Sequence, residues 1–342
     1  MKVHLRVLRA GRGETIQDGG RRGFLRYGVP TAGPMDWVAH STANRALGNE
    51  PGAAAIEASV AGIDLMCEMA PLRLAYAGGD FVYTCNGKRL PKAAVLRLNP
   101  GDHLSIKAGS WGAWTYVAVP GGVDVPVVLG SRSTSLASQF GGLDGRSLAS
   151  GDVLSPAAIT QPGTRSGLEV LIAAPWLERS NQRIGLILGP QDDFFDPSSI
   201  EALFSETFRL APRVNRIGYW LEGPKFKHSN KGFNIISDGI AMGAIQVPGS
   251  GQAVVLMADR QPTGGYPKIA TVIRADLGRL AQTRPGEEVR FECSDPEQAR
   301  EALLELDRNL NRIADYLPPA GSTQSEYLFG CNLIDGVIRA VR

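Results

Sequence analysis

The chain has 342 residues, with 36 Lys and Arg against 34 Asp and Glu and a formal net charge of +2. Its length is about twice that of a typical domain, so two units, each with its own core, are expected. The balanced charge, without a long basic run, argues against wholesale binding of nucleic acid or of an anionic membrane, and no run of ~18 apolar residues is present to span a bilayer.

The N-terminal stretch MKVHLRVLRAGRGETIQDGG lacks the apolar core of a signal peptide, and a cytoplasmic protein is expected. Cys67, Cys85, Cys293 and Cys331 stand far apart without CxxC spacing and read as small buried hydrophobes in a reducing compartment. The 41 glycines and 22 prolines fall between short runs rich in Val, Ile, Leu and Tyr, the texture of a mainly β protein. In chain order the expected strands are VHLRVLRA, LRLAYAGG, AVLRLNPG, WTYVAVPG, EVLIAAP, RIGLILG, AIQVPGSG, QAVVLMAD and EVRFEC.

Three helices are marked. MDWVAHSTANRALGN has Asp36 as N-cap and stops at Gly48; its modest apolar face suggests a helix lying over a barrel end. RADLGRLAQ is the second. The third starts at Asp295–Pro296 and carries Leu303, Leu306, Leu310 and Ile313 as a core stripe. NPGDHLSI, ASGDVLSP and RPGEEVRF each place a Gly-plus-acid turn before a strand, which fits either an internal duplication or common turn chemistry. The polar, Pro/Gly-rich run at 155–168 is the expected break. It divides the chain into an N-terminal β-barrel domain (1–160), a C-terminal barrel domain (161–317) and a tail (318–342) that docks on the body or on a partner.

Familiar catalytic signatures are missing. There is no P-loop, no complete GxGxxG and no GxSxG elbow, and His4, His40, His103 and His228 have no metal-ligand spacing. Polarity concentrates instead in four stretches. Residues 15–36 place Gln17, Asp18 and Arg21 before a glycine-rich loop. Residues 120–146 contain Ser131, Arg132, Ser133 and Thr134, a donor-rich turn able to cradle an anion. In residues 214–224, Arg216 precedes Gly218 and Tyr219, an arrangement that suits a carboxylate or phosphate ligand or else pins a loop through its carbonyls. The fourth, DRQPTGGYPKIA at 259–270, packs Asp259, Arg260, Gln261, Thr263, Gly264, Gly265, Tyr266 and Lys268 into one bend.

In this order, GETIQDGGRRGFLRYGVPTAGPMDWVAHSTANRALGN, GGVDVPVVLGSRST, FGGLDGRSLASGD, NRIGYWLEGP, GAIQVPGSGQ and DRQPTGGYPKIATVIRADLGRLAQTRPGEEVRF closely resemble the allophanate hydrolase subunit 2 family. This is the biotin-dependent carboxyltransferase-like group that includes the C component of 5-oxoprolinase and KipA. The resemblance spans about residues 10–295 and leaves the tail outside. It implies two tandem cyclophilin-like β-barrel domains with a few short helices, and one subunit of a multi-subunit hydrolase. Such a protein works with a subunit 1-type barrel protein, like KipI or the B component of 5-oxoprolinase, and with a LamB/YcsF-type A component. The complex uses ATP to open the lactam of 5-oxoproline to glutamate. No biotin is expected on this chain. Two alternatives go with the family: the carboxyltransferase part of a split urea or amide carboxylase, and a non-catalytic KipA-like regulatory protein.

Both reactions must polarise an unreactive amide, which calls for donors around its oxygen and an acceptor for its N–H. On that reading Asp259 accepts the amide N–H, and Tyr266 and Lys268 donate or shuttle a proton. Gly264 and Gly265 admit backbone N–H groups to the oxyanion. Arg216 anchors a substrate carboxylate, while Gln261, Thr263, Ser131 and Arg132 complete the substrate contacts. Pro262 and Trp220 depart from the family pattern, which is expected to have Thr and a second Arg there.

Overall fold

The computed structural model describes residues 4–158, 167–180 and 183–318. The tail expected to dock lies outside these from residue 319 onward, as does much of the break expected at 155–168. The protein is mainly β, and its strands form two large sheets, one of ten strands from the first half of the chain and one of eight from the second.

The first sheet is organised by two long strands, Leu72–Cys85 and His103–Ala118, which pair antiparallel along most of their length. Their register shifts between Gly78 and Phe81, and there the backbones nearly touch: a Cβ on Gly79 would lie 2.6 Å from Gly112 Cα. Only glycine fits at such an approach, and the bend lets His103–Ala118 pair also with Ala55–Ser59 and with Ile63–Glu68. Gly167–Leu171 pairs with Ala94–Leu98, so this sheet takes its last strand from beyond residue 161, and the chain enters the second sheet only at Ile184–Leu188.

The strand path of the second sheet runs from Glu288–Val289 to Phe291–Cys293. Arg290 alone separates these two end strands, so the sheet curls into a nearly closed barrel and leaves little free edge.

Four α-helices accompany the strands among the described residues. The first, α1 (Trp37–Ala46), begins where Asp36 accepts hydrogen bonds from Val38 N (3.0 Å) and Ala39 N (3.1 Å), and gives way to Gly48 at φ +78. Polar residues along it, His40, Ser41, Thr42 and Asn44, are as buried as its alanines, because the helix is wedged between the first sheet and the helical elements of the second half. The modest apolar face read from the sequence belongs to a helix buried on nearly every side. α2 (Pro197–Ser205), with Asp196 at the N-cap position, where its side chain makes no cap bond, and Pro197 at its first position, was not anticipated despite that start signal. α3 (Leu277–Ala281) follows a 3-10 turn, and α4 (Pro296–Asn311) starts with the reciprocal Asp295–Gln298 capping box. Leu310 and Ile313 from the expected stripe are buried, and Leu303 and Leu306 are half-buried.

One apolar cluster runs through both sheets. Met35, Ala39, Trp114 and Tyr116 of the first half belong to the same cluster as Leu186, Phe208, Tyr219 and Ile245 of the second. A separate cluster, including Val7, Ile56, Leu74 and Tyr83, fills the inside of the first sheet. Cys67 is buried as expected, Cys85 is half-buried, and Cys293 is exposed; Cys331 lies outside the described residues.

Candidate functional site

The four polar stretches, distant in sequence, come together where the two sheets meet. Arg216, at the turn before the strand Gly218–Glu222, donates to both oxygens of Asp259, from Nε at 2.9 Å and from Nη2 at 2.8 Å. Its Nη2 also donates to Gly33 O at 2.7 Å, and its Nη1 to Glu57 Oε1. Glu57 Oε2 accepts Met35 N and Tyr116 OH, each at 2.8 Å, and the Tyr116 oxygen accepts Asp36 N at 2.8 Å.

From Asp36 the network continues through Gln282, whose Nε2 donates to Asp36 Oδ2 (2.7 Å) and to Trp114 O (2.9 Å). It ends where Trp114 Nε1 donates to Tyr219 OH (2.9 Å), which donates to Ala281 O (2.8 Å). Side chains of both halves thereby form one buried chain of charges and hydrogen bonds, crossed by Arg216–Glu57, Gln282–Asp36 and Trp114–Tyr219.

This geometry corrects two expectations. Arg216 does not stand free for a substrate carboxylate: it is 6% exposed, and two carboxylates and a carbonyl of the protein occupy its fork. Burial alone would weaken its hold on the proton, but Asp259 and Glu57 more than reverse this, so the pKa of the guanidinium is raised. Asp259, 7% exposed, has both oxygens committed to Arg216, so it fixes the seam and does not face a ligand as an open acceptor.

The turn at Ser131 and Arg132 does cradle an anion, and that anion is Asp18. Asp18 accepts Ser131 Oγ (2.6 Å), Arg132 N (2.6 Å), Ser133 Oγ (2.7 Å) and Gly20 N (2.9 Å). Burial pushes its pKa up, but these four bonds outweigh that and hold it below the usual carboxylate value. Ser131 and Arg132 therefore tie the 120–146 loop to the 15–36 loop. Gln17 braces the same loop by accepting Gly33 N at 3.1 Å.

The DRQPTGGYPKIA stretch forms the outer rim. Thr263–Gly264 pairs with Asp238–Gly239 in a small ladder separate from both large sheets, and Ile235 N donates to Gly265 O at 2.9 Å. Neither Gly264 nor Gly265 adopts a left-handed backbone. Space at Gly264 is tight, since a Cβ there would lie 2.7 Å from Gln246 Nε2 and 2.8 Å from Ile240 Cδ1, the ends of two side chains that would have to turn aside. Lys268 is not open to a proton shuttle: it is 3% exposed, and its Nζ donates to Asp238 Oδ2 at 2.9 Å beneath the ladder. Tyr266 is 40% exposed, and Gln261 and Thr263 are exposed beside it. Trp220 faces away from this network: it packs on Ile240, Ala244, Val254 and Leu256, under the Arg213 guanidinium, so its departure from the family pattern falls outside the seam.

Sequence reasoning missed Glu57, Tyr116 and Gln282. Glu57 did carry a signal, as a lone acid in the apolar run AAAIEASV. Tyr116 and Gln282 carried none, because only the packing of the two sheets makes them neighbours. Among the described residues no group of three or more His, Cys, Asp or Glu is placed to hold a metal, and no helix is long and apolar enough to cross a membrane. A cleft of about 710 Å³ opens at the far end of the network, lined by Asp36, Gly78, Trp111, Trp176, Gln282 and Leu306 among others.

Two sheets with a shared core, locked by a buried charge network at their junction, define a mainly β domain of two interdependent parts. The carboxyltransferase domain, subdomain A and B, matches residues 27–293, and the chain belongs to that family. It is 35% identical to the C subunit of 5-oxoprolinase from Escherichia coli (strain K12) over 318 residues, covering 91% of this chain and 97% of that one. It is 33% identical to urea amidolyase of Lachancea kluyveri over 320 residues, 88% of this chain but 17% of that much longer protein. The crystal structure of K. lactis urea amidolyase superposes with a TM-score of 0.83 at 29% identity, over 92% of this chain and 20% of that one.

Proposed function

We propose that this chain is the C-type component of an ATP-dependent 5-oxoprolinase complex and helps open the 5-oxoproline lactam to glutamate. The observation that carries this reading is the end-to-end match to the C subunit of 5-oxoprolinase, set against a match to a small part of urea amidolyase. Such a component needs partners, and the family resemblance supplies their kinds: a subunit 1-type barrel protein and a LamB/YcsF-type A component. ATP is used by the assembled complex, and the proposed setting is the cytoplasm.

A lactam is opened when its carbonyl oxygen is polarised and its nitrogen acquires a proton. The side chains left open at the rim for such work are Tyr266, Gln261 and Thr263, beside the ion pair of buried Lys268 with exposed Asp238. In this reading Tyr266 is the proton donor, and Arg216, Asp259 and Glu57 are positioning residues that hold the two halves in register. Co-expression with the neighbouring genes of its genome, followed by an assay of 5-oxoproline-dependent ATP hydrolysis, tests the reading. Turnover that stops when this chain is omitted supports it. An inactive complete complex, or urea-dependent carboxyl transfer from a biotinylated partner, removes it in favour of the carboxylase alternative.

A further inference from the structure

Three buried arginines lie around the seam, and their charges are met differently. Arg216 has two carboxylates. Arg21 is fully buried beneath the Phe140 ring, donates to Val128 O and Ser133 O, and has its remaining Nη1 sealed from solvent. Arg260 is 5% exposed and has only neutral partners: its Nε donates to Ile240 O at 2.9 Å, and its Nη1 to Thr31 Oγ1 at 3.3 Å and Met257 O at 3.4 Å. Among the described residues no carboxylate pairs with Arg260, and its Nη2 makes no hydrogen bond although it is not sealed in the interior.

We infer that Arg260 is the anchor for a small carboxylate ligand at the seam, the role that Arg216 is too occupied to fill. A guanidinium stripped of water gains most from an anion that brings its own charge, and a planar fork fixed by carbonyls is already oriented to receive one. Burial without a carboxylate pushes the Arg260 pKa down to about 10, against the raising effect of Asp259; an incoming anion relieves that penalty. The position suits a ligand shared by both halves, since Thr31 comes from the first-half loop and Ile240 from the segment that pairs with the 259–270 rim. This assignment rests on the 5-oxoproline reading and deepens it: the ring carboxylate of 5-oxoproline is the group Arg260 holds, which leaves the lactam to the rim.

The test compares 5-oxoproline with 2-pyrrolidinone, the same lactam without the carboxylate, on the co-expressed complex. Arg260→Met should raise KM for 5-oxoproline by about 10- to 100-fold, the range for losing a hydrogen bond to a charged group. Inhibition by 2-pyrrolidinone should hardly change. Arg260→Lys, which keeps the charge but not the fork, should fall between. If Arg260→Met does not fold, Thr31→Val, which removes the hydroxyl steadying Nη1, should still raise KM for 5-oxoproline severalfold and spare 2-pyrrolidinone. A wild-type complex inactive on 5-oxoproline removes the functional reading itself. An active wild type whose variants keep their KM, or weaken both lactams equally, overturns the Arg260 assignment alone.

Discussion

Arg216 and Glu57 lie 159 residues apart and meet with almost no contact with water, so neither charge has solvent to fall back on. Arg216→Ala would strand Glu57 and Asp259 as buried anions, and a loss of about 3–5 kcal/mol is expected, the range for breaking a buried ion pair from one side. Urea denaturation measures it, and a loss below ~1 kcal/mol, typical of exposed pairs, would refute the buried-network account. Glu14 gives a pH-dependent counterpart. It is fully buried and accepts Ser59 N (2.9 Å) and Ser59 Oγ (3.2 Å); burial raises its pKa to about 7 despite those bonds. The native carboxyl then holds a proton that the unfolded chain has released. Its contribution to stability is therefore full below the unfolded value of about 4.5, declines as pH rises to about 7, and is flat above. Glu14→Gln, which keeps the neutral form, should raise the melting temperature at pH 8 and leave it nearly unchanged at pH 4.5. Equal effects at both pH values would show that Glu14 is not the titrating group.

Among elements, the turns were the most legible. NPGD, ASGD and RPGE each fold with a left-handed glycine, Gly101, Gly151 and Gly286, and in each the acid accepts the backbone N–H three residues before it: Asn99 N (2.7 Å), Ala149 N (2.8 Å) and Arg284 N (2.8 Å). The recurrence is thus accounted for by one turn chemistry that is local to four residues. The caps of α1 and α4 were legible for the same reason, whereas the burial of α1 was not, because what covers a helix is decided by other elements. At the rim, the two adjacent glycines should respond differently. Gly264→Ala would crowd Gln246 Nε2 and Ile240 Cδ1, so that the Gln246 amide must give up its bond to Tyr266 O (3.1 Å), and should lower the activity of the complex severalfold with the body still folded. Gly265→Ala meets nothing nearer than Ile235 O at 3.4 Å and should be tolerated. Parallel activity and melting measurements distinguish the two, and equal behaviour would undo the packing explanation.

At the scale of the whole molecule, the apolar cluster that runs through both sheets makes the halves interdependent. Residues 1–180 expressed alone should expose Met35, Trp114 and Tyr116, and so should aggregate or lose near-UV circular dichroism; adding residues 183–342 during refolding should restore it. A first half that melts cooperatively on its own would contradict the shared core.

The sequence by itself determined the mainly β character, the turns, the helix starts, the family and the set of polar stretches that matter, because each is written in short-range pattern or in ordered motifs. Only the tertiary structure decided which charges are partners. The donors of the Ser131 turn were spent on Asp18, Arg216 on Asp259 and Glu57, and Lys268 on Asp238, while Arg260 was left without an anion. Electrostatic roles depend on distance and on exclusion of water, and both are fixed only when segments far apart in the chain close over one another.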